Sequence, residues 1–159
     1  MADKDMKWKT LSQKYLIEKP WLTARVDKVE LPTGAIIDEY YVLEYPDWVN
    51  TIAITKEGEF VFVRQYRYAI GKTVNELCAG VAAKRELMEE TGFGGGNWQK
   101  WMTISANPST HTNLTHCYLA TDVERMDVQH LDQAEDIEVR LFSRDEVMDM
   151  LEKGEIWQS

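Results

Sequence analysis

Cysteine is scarce in this chain: Cys78 and Cys117 are the only two among 159 residues. Two thiols cannot frame a domain of this size, and both sit in strand-like apolar stretches, so buried thiols in a reducing compartment are expected rather than metal or redox chemistry. Histidine is nearly as rare. His111, His116 and His130 are scattered without a paired Cys or Ser pattern, which argues against a zinc site or a catalytic triad. Positive charge is also short, with 18 Lys and Arg against 27 Asp and Glu and a net charge of -9. Such a balance excludes a broad footprint for DNA, RNA or an anionic membrane, so any bound phosphate must be met by local cations. No run approaches the roughly 20 apolar residues needed to cross a bilayer, and the opening MADKDMKWKT has no apolar signal core. A cytoplasmic protein with neither nucleic acid nor membrane as partner is the default expectation.

What is present describes a folded domain. Hydrophobic residues make up 44% and charged residues 28% of the chain, a globular composition rather than a disordered or fibrous one. The length allows one main domain with at most a small appendage.

From Trp21 to Tyr45 an alternating pattern surrounds Pro32-Thr33-Gly34 and predicts a β-hairpin with a Pro/Gly turn. VNTIAIT and FVFVRQYRY, joined by a KEGE turn, are rich in Val, Ile and Phe and read as central strands covered on both faces. TVNELCA predicts a further strand, and Ala82 to Thr91 a helix stopped by Gly92. WQKWMTISA and NLTHCYLA are two more strands, separated by a polar loop containing Pro108. After an acidic linker, IEVRLF is a strand, and Ser143-Arg144-Asp145-Glu146 is a capping box that opens a last helix.

The helix after Gly80 carries three carboxylates. Glu86 and Glu90 are neighbours at i,i+4, and Glu89 joins Glu86 at i,i+3. Paired glutamates on a solvated helical face are common. Like charges at these spacings nevertheless destabilise an isolated helix, and a hard divalent ion such as Mg²⁺ prefers such oxygen ligands. Ala82 is small and lies on the same face, Ala83 and Leu87 form an apolar strip for packing, and Arg85 can pair with Glu89 one turn on.

Arg85-Glu86-Leu87-Met88-Glu89-Glu90-Thr91-Gly92-Phe93 resembles the second half of the Nudix box, R-E-(apolar)-x-E-E-x-G-(apolar). The resemblance implies a hydrolase that cleaves a nucleoside diphosphate linked to another group, using Mg²⁺, with Mn²⁺ a possible substitute. It implies Glu86 and Glu90 as metal ligands, Glu89 as ligand or close support, and Arg85 and Glu89 among the catalytic residues. Glu76-Leu77-Cys78-Ala79-Gly80 is similar to the strand entering the box, where Ala79 would offer a backbone carbonyl to the metal. The family places thirteen residues between that glycine and the arginine. Here only Val81, Ala82, Ala83 and Lys84 intervene, and the first glutamate of the box is absent. Connections of this kind usually take about 2 to 6 residues, so a loop left out of the sequence as given is the expected explanation, and a true deletion would strain the turn or shorten the helix.

The segments around WLTARVDKVELPTG, DEYYVLEYPDWV, VRQYR and ELCAG together resemble the ADP-ribose pyrophosphatase branch. Arg67 and Arg64 are the expected phosphate cations, since guanidinium groups match phosphate oxygens in bidentate fashion. Pro108 stands fifteen residues beyond Phe93, a spacing that the resemblance associates with ADP-ribose. The loop following it departs from the branch, which leaves other nucleotide sugars open as substrate. Trp21 and Tyr41 are candidates to stack on a base, with core or dimer packing as the alternative. The resemblance further implies a general base in LDQAEDIEV, for which Glu135 is chosen over Asp132 and Asp136, and a homodimer built through the N-terminal sheet.

The expected fold is α+β: a mixed β-sheet sandwiched between helices (α/β/α), with a small N-terminal antiparallel sheet. Residues 1–45 form the appendage and 46–159 the hydrolase domain. The expected activity is Mg²⁺-dependent cleavage of ADP-ribose into AMP and ribose 5-phosphate. The alternatives are the same chemistry on another nucleotide sugar, or a nucleotide-binding module that has lost catalysis.

Overall fold

Alternation and turn chemistry build the first part of the chain. In the computed structural model, which describes residues 5–157, β1 (Lys9–Lys19), β2 (Leu22–Glu30) and β3 (Ile36–Glu44) form an antiparallel sheet in that order. The β2–β3 turn closes as expected. Gly34 donates its N–H to the Leu31 carbonyl at 2.8 Å and takes φ +83, a left-handed conformation that favours glycine. Strand β1 was not anticipated. Every one of its residues is exposed, so it lacks the in-out burial that makes a strand visible in sequence. The loop Ser105–Asn113 belongs to the same compact unit as Met1–Pro46. Leu43 holds it by donating to Thr110 and accepting from Thr112, at 2.8 and 3.1 Å.

The second unit comprises Asp47–Ile104 and Leu114–Ser159. Its strands are β4 (Trp48–Thr55), β5 (Phe60–Arg67), β6 (Lys72–Glu76), β7 (Cys78–Gly80), β8 (Phe93–Gly94), β9 (Asn97–Ile104), β10 (Thr115–Arg125) and β11 (Ile137–Phe142). The main path runs β11-β5-β4-β10-β8, with β6 on β5, β7 on β4 and β9 on β10. Among the described strands of this unit only the β4–β10 pair is parallel, so the sheet is mixed. TVNELCA, expected as one strand, divides at Leu77: β6 continues along β5, whereas β7 crosses to β4. Leu77 packs its side chain beside Phe62, Val147 and Met150.

Two helices, α1 (Ala83–Thr91) and α2 (Arg144–Glu152), cover the sheet. Val61 packs with Leu87 of α1, while Phe62, the next residue along β5, packs with Val147 and Met150 of α2. Successive strand residues point to opposite faces. The helices therefore lie on opposite sides of the sheet, and the near-continuous apolar run of β5 is explained by burial on both faces. No helix among the described residues is long and apolar enough to cross a membrane.

Candidate active site

The site begins where β7 meets α1. Asn50 pairs with Ala79 and Val49 with Gly80 in the β4–β7 register, and only Val81 and Ala82 separate Gly80 from the helix. Ala82, at the N-cap, has φ -142 and ψ 91 and makes no side-chain capping bond. These are ordinary extended angles. The short connection is therefore closed without left-handed backbone, and it leaves the first turn of α1 uncapped. Glu86 folds back over the junction, so that Val81, just before the cap, donates its N–H to Glu86 Oε1 at 3.3 Å. Gly80 makes the fold-back possible: a Cβ there would lie 2.5 Å from Glu86 Cδ.

The three glutamates of α1 line one polar cavity of about 230 Å³ together with Arg85, His130, Asp132 and Glu135. Each carboxylate is engaged by the protein. Arg85 Nη2 lies 2.8 Å from Glu86 Oε1, and Arg85 Nε lies 3.7 Å from Glu89 Oε2. Cys78 Sγ donates to Glu90 Oε2 at 3.0 Å. No group of three metal-ligating side chains is already gathered among the described residues. Glu90 is buried, and desolvation pushes its pKa up to about 7 against the opposing pull of the Cys78 bond, with Glu86 and Glu135 raising it further. Burial likewise pushes the Cys78 thiol well above its usual range.

The acidic linker is strapped beneath α1. His130 donates its backbone N–H to the Glu89 carbonyl at 2.8 Å, and Gln129 Nε2 reaches the Glu90 carbonyl at 2.7 Å. These bonds occupy carbonyls that the helix end leaves without intrahelical donors, and they bring Asp132 and Glu135 to the cavity. Glu135 Oε2 accepts from the Asp132 N–H at 2.9 Å.

A second cavity, of about 440 Å³, is lined by Trp48, Asn50, Arg67, Glu76, Ala79, Gly80 and Trp157. Gly80 joins the two, lining this cavity while abutting Glu86 of the other. Arg67 binds the buried carboxylate of Glu76 through Nε at 2.9 Å and Nη2 at 2.7 Å, and Gln65 Nε2 adds a bond to Glu76 at 3.1 Å. Arg64 is not brought here. It lies three residues from Arg67, on the opposite face of β5, and pairs with Glu138 at 3.4 Å.

Trp21, Tyr41 and Pro108 all belong to the first unit. Trp21 occupies the β1–β2 turn with 92% of its surface exposed, and Tyr41 donates to Glu39 at 3.0 Å. Sequence reasoning missed Glu76, Trp48, Asn50 and Trp157. For Glu76 a signal existed, an acidic residue on the strand following VRQYR. Trp157 has none, since it stands beyond the last helix.

Residues 8–43 match the family described as the nucleoside diphosphate sugar hydrolase N-terminal domain. The chain is 25% identical to an ADP-ribose pyrophosphatase of Bacillus subtilis, over 98% of this chain and 89% of the relative. It is 30% identical to an ADP-ribose pyrophosphatase of Mycobacterium tuberculosis, over 82% of this chain and 68% of the relative. A crystal structure of an ADP compounds hydrolase superposes with a TM-score of 0.80 at 20% identity, covering 94% of this chain and 86% of that one, which establishes the same fold. With the box residues on α1 and these relatives along most of its length, the chain belongs to the Nudix hydrolases, among the ADP-ribose pyrophosphatase-like members that act on nucleoside diphosphate sugars.

Proposed function

We propose that this protein hydrolyses the diphosphate of ADP-ribose or a closely related nucleoside diphosphate sugar, releasing AMP and ribose 5-phosphate in the ADP-ribose case. The observation that carries the reading is the junction at Gly80, where the carboxylate cavity of α1 and an arginine-bearing cavity on the sheet meet. Water contributes its oxygen to one phosphorus as the bridging P–O bond breaks, and its proton passes to a carboxylate. Glu135 is the assigned acceptor because it lines the cavity from outside the helix that carries the proposed ligands.

Glu86, Glu89 and Glu90, with the Ala79 carbonyl, are the residues assigned to hold Mg²⁺ or Mn²⁺. Their oxygen donors suit a hard divalent ion, and a buried carboxylate beside two others gains from a nearby cation. Bound metal would withdraw charge from the diphosphate. Arg85 orients Glu86 and Glu89, and Arg67 supplies cationic donors to the phosphates.

The reading includes a cytoplasmic homodimer formed through residues 1–45. Leu11, Tyr15, Leu16 and Ile17 on β1 are all exposed, and a second copy covering them would remove apolar surface from water. Sedimentation should give twice the mass of the chain.

The deciding assay is AMP release from ADP-ribose by the purified protein, with Mg²⁺ and then with excess EDTA. Metal-dependent AMP is expected. Failure to cleave any nucleoside diphosphate sugar would overturn catalysis and leave a binding module.

A further inference from the structure

We infer that Trp157 is the wall on which the base of a nucleoside diphosphate stacks, an assignment that rests on the reading above. The segment following α2 is anchored rather than trailing. Glu155 donates its N–H to the Met150 carbonyl at 2.9 Å, and Ile156 forms a parallel bridge with Asn75 on β6. The Ile156 side chain packs with Phe62, Val147 and Met150. Neighbouring residues of an extended segment point to opposite sides, so burying Ile156 turns Trp157 toward the face carrying Arg67 and Glu76.

Lys72 stands opposite Arg67 in the β5–β6 register, and its ammonium lies 4.0 Å from the centroid of the Trp157 ring. This cation–π contact fixes the ring plane. Trp157 nevertheless remains 52% exposed.

The indole walls the same cavity as Arg67. One edge of that guanidinium is spent on Glu76, and the other edge of the planar fork carries the remaining donors. A cavity of about 440 Å³ is within the usual range for a small-molecule site. An aromatic wall and a cationic donor in one such space fit a ligand with a flat ring at one end and phosphate charge at the other. Aromatic faces hold bases through stacking, without requiring hydrogen-bond readout.

The test compares wild type, Trp157→Ala, Trp157→Phe and Trp101→Phe by calorimetric titration in EDTA with two probes, ADP and inorganic pyrophosphate. Trp101 is an exposed tryptophan on β9 and serves as control. Trp157→Ala should weaken ADP by about tenfold or more and leave pyrophosphate unchanged. Trp157→Phe should restore most of the ADP affinity, and Trp101→Phe should match wild type. With Mg²⁺, Trp157→Ala should raise KM for ADP-ribose while kcat stays within about twofold. Equal ADP affinity in wild type and Trp157→Ala overturns the assignment, as does equal loss of ADP and pyrophosphate or an absence of ADP binding by wild type. Wild type that binds ADP through Trp157 but cleaves no nucleotide sugar overturns the hydrolase reading alone.

Discussion

Helices α1 and α2 are both nine residues long and lie on opposite faces of one sheet, yet their ends and faces are built differently. In α2, Ser143 accepts from the Glu146 N–H while Glu146 reaches back to the Ser143 N–H at 2.7 Å, a complete capping box. In α1 the N-cap is Ala82, with no side-chain bond. Of the charged side chains of α1 only Glu90 is buried, whereas α2 buries only Val147 and Met150. Helix α2 is thus optimised for packing. Helix α1 carries like charges and a bare first turn, local features that lower stability and make sense where a cation and phosphates are to be met.

Six substitutions would break or sharpen this contrast. The largest effect is expected for Glu86→Gln, which should lower kcat for ADP-ribose by at least about 100-fold, given the several kcal/mol such a metal supplies. The variant should melt near the wild-type temperature, and wild-type turnover would remove α1 from the chemistry.

Next are the glycines that close the helices. Gly92 has φ +72, and a Cβ there would meet the Asp127 carbonyl oxygen at 2.2 Å, whereas Gly154 has φ +66 with open space around it. Chemical denaturation should show Gly92→Ala losing about 3 kcal/mol or more and Gly154→Ala about 1. Equal losses would mean that the linker yields freely beneath α1.

Glu90 allows a pH test. Its folded pKa of about 7 lies above the ordinary 4.5, so the folded state favours the neutral carboxyl and above about pH 7 must bury a charge. That stabilisation is whole below about pH 4.5 and is lost as pH rises through about 7. Glu90→Gln stays neutral throughout. In EDTA it should match wild type near pH 5 and exceed it at pH 8, by on the order of 1–3 kcal/mol. A pH-independent difference would refute the buried-charge account.

The smallest effects concern the caps. Ser143→Ala should cost about 1 kcal/mol, and Ala82→Ser should gain about 0.5–1 kcal/mol, because Ala82 already has cap-like backbone angles. Thermal melts of the two variants should shift in opposite directions.

Features whose physics is local were legible without coordinates. The Pro-Thr-Gly turn, the extent of α1 and its Gly92 stop, the Ser143 capping box and strand β11 each depend on residues within a few positions of one another. So does the gathering of Glu86, Glu89 and Glu90, because helical spacing alone puts them together. Alternation along β5 also separates Arg64 from Arg67 in the sequence itself.

What only the tertiary structure decided depends on partners distant along the chain. Strand β1 has no buried face, so its pairing with β2 alone reveals it. The division of TVNELCA at Leu77 follows from two neighbouring strands, β5 and β4, each claiming one part. Cys78 meets Glu90 and Glu76 meets Arg67 because sheet register and helix docking bring them together. Trp157 reaches the cavity only because Ile156 is buried beside α2. Sequence periodicity reports which face of an element is apolar, and it is silent on which other element that face will find.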